Sequence, residues 1–388
     1  MQERSTTLHD VSDTTFTPVD AESWSDRIFA WRDRLVASTA FQRWAARFPL
    51  TRPIARRRSQ ALFDICAGFV YTQVLRAAVE LDLFAMLAEG AATPEAIAAR
   101  TSLPLPALDR LLRAAIALRL LETRSRGRVG LGSLGAPLVG NEGLKALIAH
   151  HSLLYEDLRD PIELLRRRGG QDTALSRYYP YVVPHASPDT AEVAPYSALM
   201  SATAGPLIAE VLDAYSFTSH RRLLDIGGGE GRFARAVQSR WPHLSVAMYD
   251  LPAVAERARQ LGARDGAAVP IEVFGGDFRS DDLPTGFDVM TVVRVLLDHD
   301  DATVVNLLTR IRAGLTPGGK LLIVEPIGAR NTRTVGDAYF ALYLFAMGSG
   351  RVRSERSLTD LCLQAGFRRC RRVSTHYPIS TGILVAEA

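Results

Sequence analysis

Residues 223–233, Leu-Leu-Asp-Ile-Gly-Gly-Gly-Glu-Gly-Arg-Phe, constrain the fold more than any other part of the chain. Residues 223–226 are typical of the end of a buried parallel strand. Four glycines follow within five positions, and residues 233–240 have the apolar spacing of a helix. A strand, a glycine turn and a helix predict a nucleotide-type site, because glycine lets the backbone bend sharply and approach a ligand closely.

The spacing of the glycines indicates which class of nucleotide-type ligand the turn binds. A dinucleotide fingerprint, G-x-G-x-x-G counted from Gly227, requires a glycine where the chain has Arg232. The glycines instead lie at positions 227, 229 and 231, behind Asp225. This D-x-G-x-G-x-G pattern resembles the first motif of the class I S-adenosylmethionine-dependent methyltransferases. The resemblance implies that S-adenosylmethionine is the cofactor.

An acidic residue also ends the next predicted strand, residues 245–249. Asp250 lies about 20 residues beyond the glycine turn, where a carboxylate that accepts hydrogen bonds from a ribose is expected. Leu251 and Pro252 follow it, so Asp250 has the alternative role of a helix N-cap.

A third predicted strand, residues 271–274, leads to Asp277 and Phe278. We expect Asp277 to accept a hydrogen bond from the adenine amino group and Phe278 to pack on the ring, although an ordinary loop aspartate is the alternative. A fourth strand, residues 287–293, continues into Arg294 and then into the sequence Leu-Leu-Asp-His-Asp-Asp at 296–301.

From about residue 81 to its end, the chain resembles the plant-type small-molecule O-methyltransferases, which include the acetylserotonin methyltransferases. In that family the fourth strand ends in a Leu-His-Asp-Trp-type motif, and its histidine is the general base. Leu297 occupies the histidine position here, and leucine cannot accept a proton. The resemblance further implies that Arg294 contacts the cofactor, that Met200 packs on the substrate, and that Glu325 lies near it.

The cofactor site predicted from these motifs has eight members. They are Asp225, Gly227, Gly229, Asp250, Leu251, Asp277, Phe278 and Arg294. No metal ligand is among them, and no metal is expected.

The proton acceptor stays open because the family histidine is missing. Glu325 and His299 are the predicted catalytic residues, although His299 stands where the family often has tryptophan and has packing as its alternative role. Asp298 is a further candidate, with capping of the next helix as its alternative role. His150 and His151, from the other domain, are candidates as well, with packing as theirs.

The predicted acceptor is hydrophobic. A hydrophobic acceptor is favoured by Leu297 and by the apolar helix at 337–347. The predicted substrate contacts on this helix are Tyr339, Tyr343 and Met347. Residues 294–301 and 337–351 are similar to the hydroxyneurosporene or demethylspheroidene O-methyltransferases of purple phototrophs. The resemblance implies methylation of a tertiary hydroxyl on an acyclic carotenoid. Bacteriochlorophyllide C-methyltransferases, which also lack the histidine, and antibiotic or polyketide O-methyltransferases are the alternatives.

The N-terminal half is predicted to be helical. Helices are expected at 69–87, from Thr93 and at 107–121, followed by a hairpin at 123–131. This order is that of a winged helix, which by itself suggests DNA binding or a ligand-sensing regulator. The third helix is mostly apolar and has only three arginines, which disfavours nucleic acid. The O-methyltransferase family has the same unit as a dimerisation domain, and this resemblance implies a homodimer.

Two features precede this unit. Trp24, Ile28, Trp31 and Leu35 recur at helical spacing and predict a packing face, with a dimer interface as one use of it. The basic cluster at 52–58 is either a solvated helix start or a contact for anionic lipid heads. We predict a disordered tail at 1–21, a helical dimerisation and substrate-pocket domain at 22–195, and a cofactor-binding domain at 196–388.

The fold class follows from the C-terminal half. Strands predicted at 320–325, 370–375 and 381–386 complete an α/β Rossmann-like sheet, mostly parallel, with an antiparallel end typical of methyltransferases. The 388 residues are 47% apolar, with a net charge of only +4, so a large core is expected and nucleic acid is not.

Composition and targeting patterns favour the cytoplasm. Cys66, Cys362 and Cys370 form no C-x-x-C pair, so neither a disulfide framework nor a zinc site is expected. The N-terminus has no signal-peptide pattern, and no run of about 18 apolar residues is apparent. We expect a cytoplasmic enzyme, with peripheral contact at the inner membrane as the open alternative.

Overall fold

The computed structural model describes residues 23–166, 172–179, 181, 189–264, 271–328, 335–376 and 381–388. The chain forms two compact units, Met1–Gln73 and Val74–Ala388. The predicted disordered tail at 1–21 lies outside the described residues.

The described part of the first unit, residues 23–73, is helical. It contains α1 (Trp24–Ala37), α2 (Thr39–Arg47) and most of α3 (Arg52–Glu80). Ser23 caps α1 and Ser38 caps α2, each by accepting a hydrogen bond from a backbone N–H of the first turn. The predicted helix start at the basic cluster 52–58 is confirmed, because α3 begins at Arg52.

Helix α3 is long and apolar enough to cross a membrane by length and composition alone. Its most apolar window has a mean hydropathy of 1.4, and 11% of that window is buried. The expectation that no segment of this kind exists was therefore too strict. Polar residues such as Asp64 interrupt the apolar run in α3, but the segment remains apolar on average.

The second unit begins with the predicted helices and hairpin. The predicted helix at 69–87 is instead two helices, α3 and α4 (Leu83–Ala88), because Asp82 adopts a left-handed conformation with φ of 51°. The third predicted helix is α6 (Leu105–Ala117), which ends before Arg119, another left-handed residue. Thr93 caps α5 (Pro94–Thr101) as predicted, and β1 (Leu121–Thr123) pairs antiparallel with β2 (Val129–Leu131).

Four further helices connect this region to the large sheet. They are α7 (Glu142–Asp157), α8 (Pro161–Arg166), α9 (Ala174–Tyr178) and α10 (Thr190–Ala214). The domain boundary predicted between residues 195 and 196 falls inside α10, and it stays a prediction.

Within the described ranges, the large sheet has seven strands in the order β10-β11-β7-β6-β3-β4-β5. Five neighbouring strands are parallel, and β11 pairs antiparallel with both β7 and β10. The strands are β3 (Arg222–Ile226), β4 (Ser245–Asp250), β5 (Glu272–Gly275), β6 (Phe287–Val293), β7 (Leu315–Glu325), β10 (Arg369–Val373) and β11 (Gly382–Glu387). The predicted fold class is confirmed, including the antiparallel end.

Helices connect and cover these strands. They are α11 (Arg232–Arg240), α12 (Pro252–Arg264), α13 (Asp301–Gly314), α14 (Val335–Met347) and α15 (Glu355–Gln364), and a short parallel pair joins β8 (Ile327–Gly328) to β9 (Arg353–Ser354). One core cluster includes Leu224 and Ile323, and a second includes Leu223 and Leu322, because successive strand residues point to opposite faces.

The register of the central strands positions the site. Ile226 at the end of β3 is opposite Tyr249 of β4 and Val292 of β6. The carboxyl ends of β3, β4 and β6 therefore lie side by side, which is where ligands bind in open α/β sheets. The motifs predicted from the sequence follow these strand ends.

Candidate functional site

A cavity of about 1000 Å³, counting the space open to solvent, lies at the carboxyl edge of the sheet. Its lining comes from the strand ends, the start of α11 and the middle of α10. All eight predicted cofactor residues belong to this lining. The lining includes Asp225, Gly227, Gly229, Asp250, Leu251, Asp277, Phe278 and Arg294, together with Tyr181, Tyr196, Met200, Asp298 and His299.

The glycine turn after β3 has a backbone conformation that favours glycine. Gly227 and Gly229 have φ angles of +69° and +59°, in the left-handed region. A Cβ on Gly227 would lie 2.5 Å from Cγ2 of Val295, whereas a Cβ on Gly229 would meet nothing within 4 Å. The turn thus packs closely on one side and leaves open space at Gly229.

Asp250 connects the end of β4 to this turn. Its Oδ2 accepts a hydrogen bond of 2.7 Å from the Gly229 N–H, and its Oδ1 accepts one of 2.8 Å from the Leu251 N–H. Loss of solvent raises the pKa of Asp250 to about 6, against the effect of these two hydrogen bonds. Each oxygen keeps a second lone pair for a ribose hydroxyl, so the predicted role is compatible with the geometry.

Asp225 lies beneath the turn and is almost fully buried. Its Oδ1 accepts a hydrogen bond of 2.6 Å from the Thr291 hydroxyl, while Oδ2 has no partner among the described residues. Burial raises its pKa to about 7. A buried oxygen without a partner is costly, and a donor group on a bound ligand would satisfy it.

The carboxylate of Asp277 already binds a neighbouring arginine, which the sequence motifs do not indicate. Arg279 donates from Nε and Nη2 to Asp277 at 2.7–3.0 Å. Burial opposes ionisation, but the hydrogen bonds from Arg279 prevail and hold the pKa of Asp277 below its usual value. The adenine contact predicted for Asp277 stays a prediction, and Arg279 would share the carboxylate with it.

Arg294 links the end of β6 to α10. Its Nη1 donates to the Thr203 hydroxyl at 3.0 Å and its Nη2 to the Met200 carbonyl at 2.8 Å. The residue has a φ of +56°, so its backbone is held in a conformation that costs free energy. The guanidinium therefore places Met200 on the cavity wall, and the two predicted residues are adjacent.

The loop after β6 contains the residues that replace the family base motif. Leu297 is buried, and Asp298 and His299 line the cavity. Asp300, not Asp298, caps α13, because its Oδ1 accepts a hydrogen bond of 2.8 Å from the Thr303 N–H. The capping role considered for Asp298 is therefore wrong.

Asp298 instead faces the cavity with a partner from another part of the chain. The Tyr181 hydroxyl donates a hydrogen bond of 2.8 Å to Asp298 Oδ2. Loss of solvent raises the pKa of Asp298 to about 7, although Tyr181 and Arg294 both favour its charged form. A carboxylate with this pKa can exchange a proton near neutral pH.

His299 is held as a neutral ring against Phe278. The two ring centroids are 5.2 Å apart at an angle of 88°, an edge-to-face contact. Burial lowers the pKa of His299 to about 4. The geometry suits a packing residue, while the predicted catalytic role of His299 stays a prediction.

Glu325 ends β7, is buried, and does not belong to the cavity lining. Its Oε1 has no hydrogen-bond partner among the described residues, and burial raises its pKa to about 8. The carboxyl group is therefore mostly protonated at neutral pH and is poorly prepared to accept a proton. Its predicted catalytic role also stays a prediction.

The predicted substrate contacts on α14 form an aromatic cluster. Tyr343 is hydrogen bonded to His150 Nε2 at 2.8 Å and to the Tyr179 hydroxyl at 2.7 Å, and Tyr339 to His151 Nε2 at 2.9 Å. Tyr343 and Met347 belong to the same buried cluster as Leu297 and Tyr196. Tyr339, Tyr343 and Met347 are not in the cavity lining, so they lie behind its wall, and their contact with a substrate stays a prediction.

Among the described residues, no group of three or more histidine, cysteine, aspartate or glutamate side chains could hold a metal ion. The cavity lining is polar near the glycine turn, at Asp225, Asp250 and the Gly229 backbone, and it is aromatic at Phe278. This donor and acceptor set fits a nucleoside with an attached charged group.

Comparison with known proteins identifies the family. Residues 156–368 match the O-methyltransferase domain, and residues 63–139 match the O-methyltransferase dimerisation domain. The chain is 42% identical to demethylspheroidene O-methyltransferase of Cereibacter sphaeroides, over 86% of this chain and 88% of that protein. It is 30% identical to acetylserotonin O-methyltransferase of Mus musculus, over 81% and 85% of the two chains.

Solved structures agree with the sequence relatives. PigF with S-adenosylhomocysteine (SAH) has a TM-score of 0.70 and 25% identity, over 85% of this chain and 99% of that chain. The match to a dimerisation domain supports a homodimer, and the enzyme relatives oppose the regulator alternative. The chain therefore belongs to the S-adenosylmethionine-dependent O-methyltransferases with an N-terminal dimerisation domain.

Proposed function

We propose that this enzyme methylates the tertiary hydroxyl at the end of an acyclic carotenoid. The observation that carries the proposal is Leu297, a buried aliphatic residue at the position of the family histidine. It packs in the cluster of Tyr179, Tyr196 and Tyr343. An aliphatic side chain in place of the histidine, buried beside the cavity residue Asp298, favours a long hydrocarbon acceptor over a polar phenol. The 42% identity to a demethylspheroidene O-methyltransferase supports the same acceptor class.

The residues of the glycine turn would hold the cofactor. When bound, S-adenosylmethionine supplies a methyl group on a positively charged sulfur. The free oxygen of Asp225 and the second lone pairs of Asp250 would accept hydrogen bonds from it, and Phe278 would cover its base. The turn at Gly229 leaves the space that such a ligand needs.

Asp298 is the group that we propose to accept the proton of the acceptor hydroxyl. It lines the cavity, whereas Glu325 does not, and its pKa of about 7 lies closer to neutral pH than that of His299. An alkyl alcohol is much less acidic than a phenol, so its proton would leave late, as the new carbon–oxygen bond forms. Tyr181 holds the carboxylate by its Oδ2, which leaves Oδ1 for the hydroxyl.

The test is a methyl-transfer assay with labelled S-adenosylmethionine and three acceptors in parallel. These are a 1-hydroxylated acyclic carotenoid, a bacteriochlorophyllide and an aromatic polyketide. We expect label in the carotenoid at a rate at least ten times that with the other two. Label in the bacteriochlorophyllide or the polyketide instead would assign the enzyme to that alternative acceptor class.

A further inference from the structure

Residues 23–58, here called the N-terminal basic segment, differ in charge from the rest of the chain. The segment has nine arginines and two aspartates, a net charge of +7. The whole chain has a net charge of only +4, from 46 basic and 42 acidic residues. The remaining residues, with 37 basic and 40 acidic side chains, therefore have a net charge of −3. The segment also precedes residue 63, where the matched dimerisation domain begins.

Helix α1 has four of its large apolar side chains on one face. Trp24, Ile28, Trp31 and Leu35 lie within about 60° of one another around the helix axis, at 100° per residue. By the same geometry Arg27 and Arg34 flank this face on one side and Arg32 on the other, while Asp26 and Asp33 point away. Apolar and aromatic residues bordered by arginine are the pattern of a helix that lies in a membrane interface.

Helix α2 also has aromatic side chains bordered by arginines, and its aromatic rings pack against one another. Trp44 stacks on Phe48 at 5.0 Å and contacts Phe41 at 5.6 Å. Arg43 and Arg47, one turn apart, border an open hollow with Trp44, Phe48 and Pro49. Neither arginine has an ion-pair partner among the described residues, so both guanidinium groups are available to an anion.

Most of these apolar side chains are exposed to solvent. Trp24, Trp31 and Trp44, three of the four tryptophans in the chain, are 78%, 61% and 50% exposed. Isolated apolar residues on a surface are ordinary, but three tryptophans with Ile28, Phe29 and Phe48 in one short segment are not. Tryptophan prefers the level of lipid headgroups, where its ring is apolar and its N–H is wet.

A second copy of the chain would fit this surface poorly. If the segment lay on the two-fold axis of a dimer, it would face its own copy, and two segments of charge +7 would repel each other. Anionic lipid headgroups offer the opposite charge, and arginine binds phosphate through its planar fork.

We propose that the N-terminal basic segment is a membrane-surface anchor that binds anionic phospholipid bilayers through α1, α2 and the first turn of α3. This proposal does not depend on the identity of the acceptor. It gives the first unit a role of its own, beyond that of the matched dimerisation domain.

The test uses the full-length protein in a vesicle flotation assay. Vesicles contain phosphatidylcholine alone, or phosphatidylcholine with about 30 mol% phosphatidylglycerol, whose headgroup is anionic. We expect at least tenfold tighter binding to the anionic vesicles, with binding that weakens as salt is raised. The triple variant Arg27→Glu, Arg43→Glu, Arg47→Glu is expected to lose more than tenfold of this affinity, since each arginine near a membrane contributes about fivefold.

A matched control reverses three charges elsewhere. Arg166, Arg264 and Arg368 are exposed residues of the second unit, and their change to glutamate should leave vesicle binding within about twofold of wild type. Equal binding to both vesicle types, or an unchanged affinity of the first triple variant, would overturn the proposal. Light scattering of Trp24→Ala with Trp31→Ala gives a second readout. If this double variant became monomeric but still bound vesicles, the apolar face of α1 would be a contact with a second copy of the chain.

Discussion

The hydroxyl of Tyr181 lies 2.8 Å from Oδ2 of Asp298, at the wall of the cofactor cavity. Tyr181 comes from the region between α9 and α10, and Asp298 from the loop after β6, so the contact joins segments 117 positions apart. It holds the carboxylate next to the position where the family has its histidine. The site thus contains a titratable group close to Leu297, although Leu297 itself is inert.

Asp298→Asn should remove most of the activity. An amide cannot accept the hydroxyl proton, and loss of a general base costs about 100-fold or more in kcat. In the wild type the pKa of Asp298, about 7, makes the charged form grow as pH rises, so kcat/KM should increase from pH 6 to pH 8. In Asp298→Asn the rise of kcat/KM between pH 6 and pH 8 should disappear, while S-adenosylhomocysteine still binds.

Tyr181→Phe is the companion variant. Loss of the Tyr181 hydroxyl should shift the rise of kcat/KM to higher pH, because the hydrogen bond from that hydroxyl favours the charged form of Asp298. A wild-type pH limb that persists in Asp298→Asn would show that another group accepts the proton.

Asp250→Asn should weaken cofactor binding. The amide would place an NH2 group against one of the two N–H donors, Gly229 or Leu251, whose hydrogen bonds the carboxylate now accepts. Loss of a hydrogen bond to a charged group costs about 1.5–3 kcal/mol, so the Kd for S-adenosylhomocysteine should rise about 10- to 100-fold in calorimetry. Asp213→Asn, at an exposed ion pair with Arg240, is the control and should bind as wild type does.

Gly350→Ala should damage the loop that contains Leu297 and Asp298. A Cβ at position 350 would lie 2.0 Å from the Leu297 carbonyl oxygen and 2.6 Å from the carbonyl carbon of Asp298. We expect a loss of about 1–3 kcal/mol in the free energy of unfolding, from strain and forced displacement, and at least tenfold lower kcat.

Gly366→Ala separates strain from collision. Gly366 has a φ of +92°, close to the +82° of Gly350, yet an added Cβ would meet nothing within 4 Å. This variant should lose stability and keep its kcat. Equal loss of kcat in both variants, measured well below their unfolding temperatures, would mean that the contact with Leu297 is unimportant.

Glu325→Gln should change how stability depends on pH. The folded-state pKa of Glu325, about 8, is above the ordinary value of 4.5, because burial penalises the charge. Protonated Glu325 therefore contributes to the free energy of unfolding on the order of a few kcal/mol. This contribution is fully present below pH 4.5 and is lost as the pH rises through 8. Thermal unfolding at pH 6 and pH 9 should show a smaller decline in Glu325→Gln than in wild type. An equal decline in both proteins would indicate that Glu325 ionises freely.

The sequence predicted the sheet and its edge because those features have local causes. Strand, glycine turn and acidic strand end recur in order, and parallel pairing brings Asp225, Asp250 and Arg294 together. Helix boundaries were predicted less well at Asp82 and Arg119, where non-glycine residues take left-handed conformations that tertiary packing imposes.

The side-chain partners could not be predicted in the same way. Arg279 on Asp277 and Tyr181 on Asp298 depend on how loops return to the cavity, which no periodicity records. Residue type could not choose between Asp298 and Asp300 as the cap of α13, because both are aspartates, and only the structure shows that Asp300 is the cap. The placement of Tyr339, Tyr343 and Met347 behind the wall required the packing of α14 on α7 and α9.

The central claim is that this cavity transfers a methyl group to a hydroxyl oxygen of a hydrophobic acceptor. The most direct measurement uses S-adenosylmethionine with a trideuterated methyl group, a 1-hydroxylated acyclic carotenoid, and mass spectrometry with NMR of the product. The account predicts one trideuteromethyl ether on the tertiary oxygen, formed by wild type and by Asp213→Asn but reduced about 100-fold or more in Asp298→Asn. A trideuteromethyl group on carbon, or no product from a protein that binds S-adenosylhomocysteine, would contradict it.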